Sequence, residues 1–132
     1  MQLGFVTAIF SELPLEPVLA FAGAEGYACV EVQCWPAGGS KHGGVTHLDV
    51  DGFTQSRADD VRALCEKYRV KISSLGYYPN PLSHDAEEAE HALAHIRKVI
   101  DAAPLLGLDI VNSFVGANIK LPLEDNLRRF AE

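Results

Sequence analysis

Residues 71–81 read Lys-Ile-Ser-Ser-Leu-Gly-Tyr-Tyr-Pro-Asn-Pro, and the second half of that stretch holds Tyr77, Tyr78 and the Asn80 amide between a glycine and two prolines. A rigid turn that presents polar aromatic groups at the end of an inner strand is where α/β proteins place ligands. Other residue types suggest chemistry but weigh less. Lys41 and His42 stand in a glycine-rich loop and could reach an anion, yet the GxxxxGK[ST] spacing of a phosphate loop is absent, so a lid is the plainer reading. His91 and His95 have the i, i+4 spacing that can bind a metal, but at 100° per residue they fall opposite the apolar stripe, among Glu87, Glu88 and Lys98, on a solvated face. Cys29, Cys34 and Cys65 are odd in number and lack CxxC spacing, which gives neither a disulfide framework nor a zinc site.

The elements that must position these residues follow one grammar of strand, polar loop and helix. Residues 3–8 read as a first strand, and Pro17 suits the first turn of a helix that Gly26 stops. A second strand covers 29–32, completing a β-α-β unit whose strands should run parallel with a right-handed crossover. A second helix spans about 56–69, where Ser56 and Asp59 resemble a capping box and Ala58, Val61, Leu64, Cys65 and Tyr68 make the buried face. Residues 71–75 form a third strand. The third helix opens on Asp85 and Glu88, with Ala89, Leu93, Ile96, Val99, Ile100 and Ala103 as its stripe, and Pro104 and Gly107 end it. A fourth strand at 109–114 leads to a helix near Leu123, which stops in mid-pattern.

Composition narrows the partners. The 132 residues suggest one domain, 1–132, with 48% apolar and 22% charged residues, the balance of a globular protein. A net charge of −7 argues against a nucleic-acid surface, which needs a basic patch to replace counterions. No stretch approaches the roughly 20 apolar residues of a membrane span, and no signal-peptide pattern opens the chain. A cytoplasmic, reduced protein is expected.

Four units at this repeat length suit a (β/α)8 barrel but are too few to close one, and their order alone also permits a small open doubly wound sheet. The residues favour the barrel. Gly-Tyr-Ala-Cys-Val-Glu-Val at 26–32, the Cys-Trp-Pro after it, Thr-His-Leu-Asp-Val at 46–50, the Tyr-Tyr-Pro-Asn-Pro turn and Asn-Ser-Phe-Val-Gly at 112–116 resemble the sugar phosphate isomerase/epimerase family of xylose isomerase-like TIM barrels. The resemblance implies an α/β fold of about four β-α units, the N-terminal half of such a barrel. It also implies proton transfer beside a sugar carbonyl, with a divalent metal (Mn, Mg, Co or Zn) polarising the substrate and two carboxylates as acid and base. In the family the metal ligands come mainly from later strands, so no metal ligand and no catalytic residue is expected in this chain.

What the resemblance leaves to these units is a substrate wall at the strand ends. Trp35 stacks on a sugar ring, caps the pocket or packs. Tyr77, Tyr78 and Asn80 reach hydroxyls, with one tyrosine expected only to pack. Asn112 and Phe114 alternate toward the barrel mouth, and His47 reads as a loop-ordering residue rather than a base. Glu31 lies between Val30 and Val32, where a buried carboxylate is costly unless paired, and reads as a hydrogen-bonding support. The alternative is a non-catalytic half-barrel that binds a sugar-like ligand or a partner protein. A relation to abasic-site endonucleases is disfavoured by the acidic charge and by the lack of histidines ending strands two and three. Open edges at strands one and four predict a homodimer or pairing with a C-terminal half.

Overall fold

The computed structural model describes residues 1–38 and 44–131. Lys41 and His42, considered above for an anion, lie outside the described residues. Four parallel strands stand side by side in chain order: β1 (Gly4–Val6), β2 (Cys29–Gln33), β3 (Lys71–Gly76) and β4 (Val111–Asn112). Each is followed by a helix: α1 (Leu15–Ala24), α2 (Gln55–Tyr68), α3 (Ala86–Ala102) and α4 (Leu123–Ala131). A sheet whose spatial order equals its chain order winds in one direction, as in a barrel; a doubly wound sheet reverses its order at a switch point. Four of the eight units of a closed barrel are present, and β1 and β4 are the edges.

The core lies between the outer face of the sheet and the helices. Val18 and Leu19 of α1, Val30 and Val32 of β2, Leu75 of β3 and Val99 of α3 are all fully buried. Alternation in β2 sends Val30 and Val32 outward to the helices and leaves Glu31 and Gln33 on the inner face.

Strand β3 departs from regular alternation at one place. Val30 pairs with Ile72, but Glu31 pairs with Ser74, so Ser73 is an extra residue in the ladder, and its hydroxyl donates to the Val30 carbonyl at 3.1 Å. Such a bulge reverses which side of the strand the following residues face. Ile72 and Leu75, three apart, therefore both pack on the helices, and Ser74 turns inward beside Glu31.

Several expected boundaries move. Strand β1 ends at Val6 because the chain turns into a 3₁₀ segment, Thr7–Phe10, whose buried Thr7 Oγ1 accepts the Gln33 N–H at 3.0 Å. Helix α2 is capped by Thr54, which accepts from the Arg57 N–H, and not by Ser56. Helix α3 opens on Asp85 as expected, with its carboxylate accepting from the Glu87 and Glu88 N–H groups at 3.0 and 3.2 Å. The stripe of α3 is corrected. Leu93 and Ile100 are 45% and 50% exposed, whereas His95, expected on the solvated face, is 5% exposed. Its Nε2–H donates to the Cys34 carbonyl at 2.7 Å and its ring meets Tyr77 edge-on, so a satisfied imidazole displaces two larger apolar side chains from the interior.

Candidate functional site

On the inner face, toward the C-terminal ends of the strands, one carboxylate gathers donors from β2, β3, β4 and the turn after β3. Glu31 Oε1 accepts from Tyr78 Oη at 2.5 Å and from Gln33 Nε2 at 3.2 Å. Its Oε2 accepts from Ser74 Oγ at 3.1 Å and from Asn112 Nδ2 at 2.5 Å. Asn112 Nδ2 also donates to Ser74 Oγ at 3.1 Å, and Gln33 Oε1 accepts from Trp35 Nε1 at 3.3 Å. An ionised carboxylate only accepts, so these contacts also fix which way the Asn112 and Gln33 amides point. Gly76 makes room for the cluster: a Cβ there would lie 2.4 Å from Gln33 Nε2 and 2.5 Å from Glu31 Oε1. Burial first, and the bond to Glu31 second, push the Tyr78 phenol up to about 12.

Beside this cluster opens a cavity of about 670 Å³. Trp35, Tyr77, Tyr78, Asn80 and Phe114 line it, together with Asp85, Glu87, Glu88 and His91 of the α3 start. The Tyr78 and Phe114 rings lie 4.9 Å apart, and Phe114 is 61% exposed. Tyr77 is almost fully buried, edge-on between Trp35 and His95 at 5.0 and 4.7 Å, and burial raises its phenol. Asn80 spans to the loop after β4: its Nδ2 donates to the Ala117 carbonyl and its Oδ1 accepts the Ala117 N–H, both at 2.9 Å.

His47 stands apart from the cavity. Its Nε2–H donates to the Phe10 carbonyl at 3.2 Å, tying the loop after β2 to the segment after β1. Burial lowers its pKa against the opposing pull of the Phe10 and Leu13 carbonyls. Cys34 is buried, its thiol pushed up to about 12 by burial, which makes it a core residue and no nucleophile.

A family model described as the xylose isomerase-like TIM barrel matches residues 19–132. The chain belongs to that family. No curated protein matches it. In a barrel of this kind the ends of the strands are where sites are built, and both the Glu31 cluster and the cavity lie at that end. A second hollow, about 520 Å³ and lined by Arg62, Arg69 and Lys71, lies under the start of β3, at the opposite end, where residues serve stability.

The inner cluster does not fit the divalent metal that the resemblance implies. Glu31 is its only carboxylate, and both oxygens are occupied by neutral donors. Among the described residues, no three His, Cys, Asp or Glu side chains come together as a metal ion would need.

Glu31, read from the sequence as a hydrogen-bonding support, accepts from four side chains, whereas Gln33 and Ser74 were not singled out. Ser74 turns inward only because of the bulge at Ser73, which regular alternation along 71–75 does not anticipate.

Proposed function

We propose that these four units form the substrate wall of a sugar isomerase or epimerase of this family, acting by proton transfer beside a sugar carbonyl. The observation that carries the proposal is the Glu31 cluster at the strand ends, flanked by the Tyr78–Phe114 pair and Trp35. A sugar presents hydroxyls on its edges and C–H groups on its faces. The cluster offers oxygens to the edges, and the rings offer apolar surface to the faces.

In this reading Glu31 is a positioning residue. It orients Tyr78, Ser74 and Asn112, and with both oxygens engaged it is not placed to take a proton from carbon. The acid–base pair and any divalent metal are assigned to barrel units other than these four. The chain has a single tryptophan, so its emission reports on the wall directly. Titration with neutral ketohexoses, followed by Trp35 emission and calorimetry, should give saturable binding that Asn112→Ala abolishes while the thermal melt is kept. No saturable binding, or binding indifferent to Asn112→Ala, would refute the wall. Ketose turnover by the 132-residue chain alone would place the acid–base pair within these units and overturn the division of labour.

A further inference from the structure

We infer that His95 of α3 is a positioning residue for this wall, holding the ends of two strands in place through its one N–H donor. What the wall binds rests on the sugar reading above; how His95 holds it rests on geometry alone.

His95 is 5% exposed and does not line the cavity, so it acts on the wall and not on a ligand. It reaches the wall from behind, at two places. Its Nε2 lies 2.7 Å from the Cys34 carbonyl oxygen, and because a carbonyl only accepts, that nitrogen carries the proton. Its ring also meets Tyr77 edge-on, with centroids 4.7 Å apart. Cys34 is the residue after β2, and Tyr77 is the residue after β3. The residues that follow them, Trp35 and Tyr78, are the ones that meet the Glu31 cluster. Trp35 donates to Gln33 Oε1, Tyr78 donates to Glu31 Oε1, and the Tyr77 ring stands edge-on to Trp35 at 5.0 Å. One imidazole thus stands behind both strand ends.

The donor matters because the ladder gives out past the end of β2. The Cys34 N–H still donates to the Gly76 carbonyl at 2.9 Å, but the carbonyl of this fully buried residue takes its hydrogen bond from His95. A buried carbonyl stripped of its donor keeps the whole desolvation cost, and the peptide lowers that cost by turning toward water. That peptide is the one that carries Trp35, so loss of the donor moves the indole. An apolar side chain could fill the same space but could not supply the bond. Helix α3 itself shows which was kept: Leu93 and Ile100 are left about half exposed while the imidazole takes the interior.

Two substitutions in the 132-residue chain separate the donor from the ring. His95→Phe keeps a ring against Tyr77 and removes the N–H; His95→Gln keeps an N–H at a similar reach and removes the ring. Both are read by the emission of Trp35, the single tryptophan, in the ligand-free chain and by D-fructose affinity from calorimetry, with the thermal melt as a check on folding. His95→Phe should shift the emission to longer wavelength and weaken the ketose about tenfold, the equivalent of one buried acceptor left unmet. His95→Gln should keep the emission and the affinity of the unchanged chain. Unchanged emission and affinity in a folded His95→Phe chain would overturn the inference, as would a His95→Gln chain that loses as much as His95→Phe. Should His95→Phe not fold, His95→Gln decides by the same two readings: retention supports the donor, and loss overturns it. Absence of ketose binding by the unchanged chain would overturn the sugar reading instead, and the emission comparison would still decide the role of His95.

Discussion

The two faces of the sheet are built by the same strands to different rules. On the helix side, Val30, Val32 and Leu75 are fully buried and held by volume alone. On the inner side, Gln33, Ser74 and Asn112 are held by directed bonds to the Glu31 carboxylate. A side chain on the first face is replaceable by another of similar shape, because packing has no preferred direction. A side chain on the second face is replaceable only by one that donates or accepts in the same place. Stability and recognition are therefore separable in this molecule, residue by residue along β2.

The largest expected effect breaks the packed face. Leu75→Ala should cost about 2–5 kcal/mol, the range for removing a buried leucine. Urea denaturation would measure it, and ketose affinity of the folded fraction should stay unchanged. Lost affinity in fully folded Leu75→Ala protein would show that the two faces are not separable. On the inner face, Glu31→Gln should cost less, about 1–3 kcal/mol, because the new amide sets a donor against the donors it replaces an acceptor for. Its main effect should be on ketose binding, read by the same titration. A Glu31→Gln protein that binds normally would remove the carboxylate from the wall.

The smallest effect concerns pH. Tyr78 titrates at about 12 in the folded chain against an ordinary 10.0, so the folded state keeps its proton longer. The stability this contributes is fully present below pH 10 and is lost as pH rises from about 10 through about 12. Ultraviolet titration of the phenols should show one group moving back toward its ordinary range in Glu31→Gln. An unmoved titration would mean that burial alone, and not the carboxylate, holds the proton.

Much of the fold was legible because the helices of this chain announce themselves. Asp85 caps α3 as its spacing implied, and Val30 and Val32 marked the buried side of β2. The errors have physical causes. His95 was placed in solvent because hydrophobicity alone drew the stripe through Leu93 and Ile100. The Cys34 carbonyl that satisfies the imidazole lies 61 residues away in the chain. Of the residues expected at the strand ends, Trp35, Tyr77, Tyr78, Asn80 and Phe114 line the cavity, and Asn112 and His47 do not. Their division of labour was hidden: Tyr77 packs against α3, Asn80 bridges two loops, and Tyr78 alone of the three bonds Glu31. Which way a side chain turns depends on partners brought close only by folding.

The Asn80 bridge has a mechanical consequence. Its amide meets both the N–H and the carbonyl of Ala117, as a neighbouring strand would, and Gly116 lets it approach because a Cβ there would lie 2.1 Å from Asn80 Oδ1. Two loops that follow different strands are thereby clasped into one lip. Neither could swing without carrying the other or breaking both bonds at once. Pro79 and Pro81, which flank Asn80, restrict the backbone at the root of that lip as well.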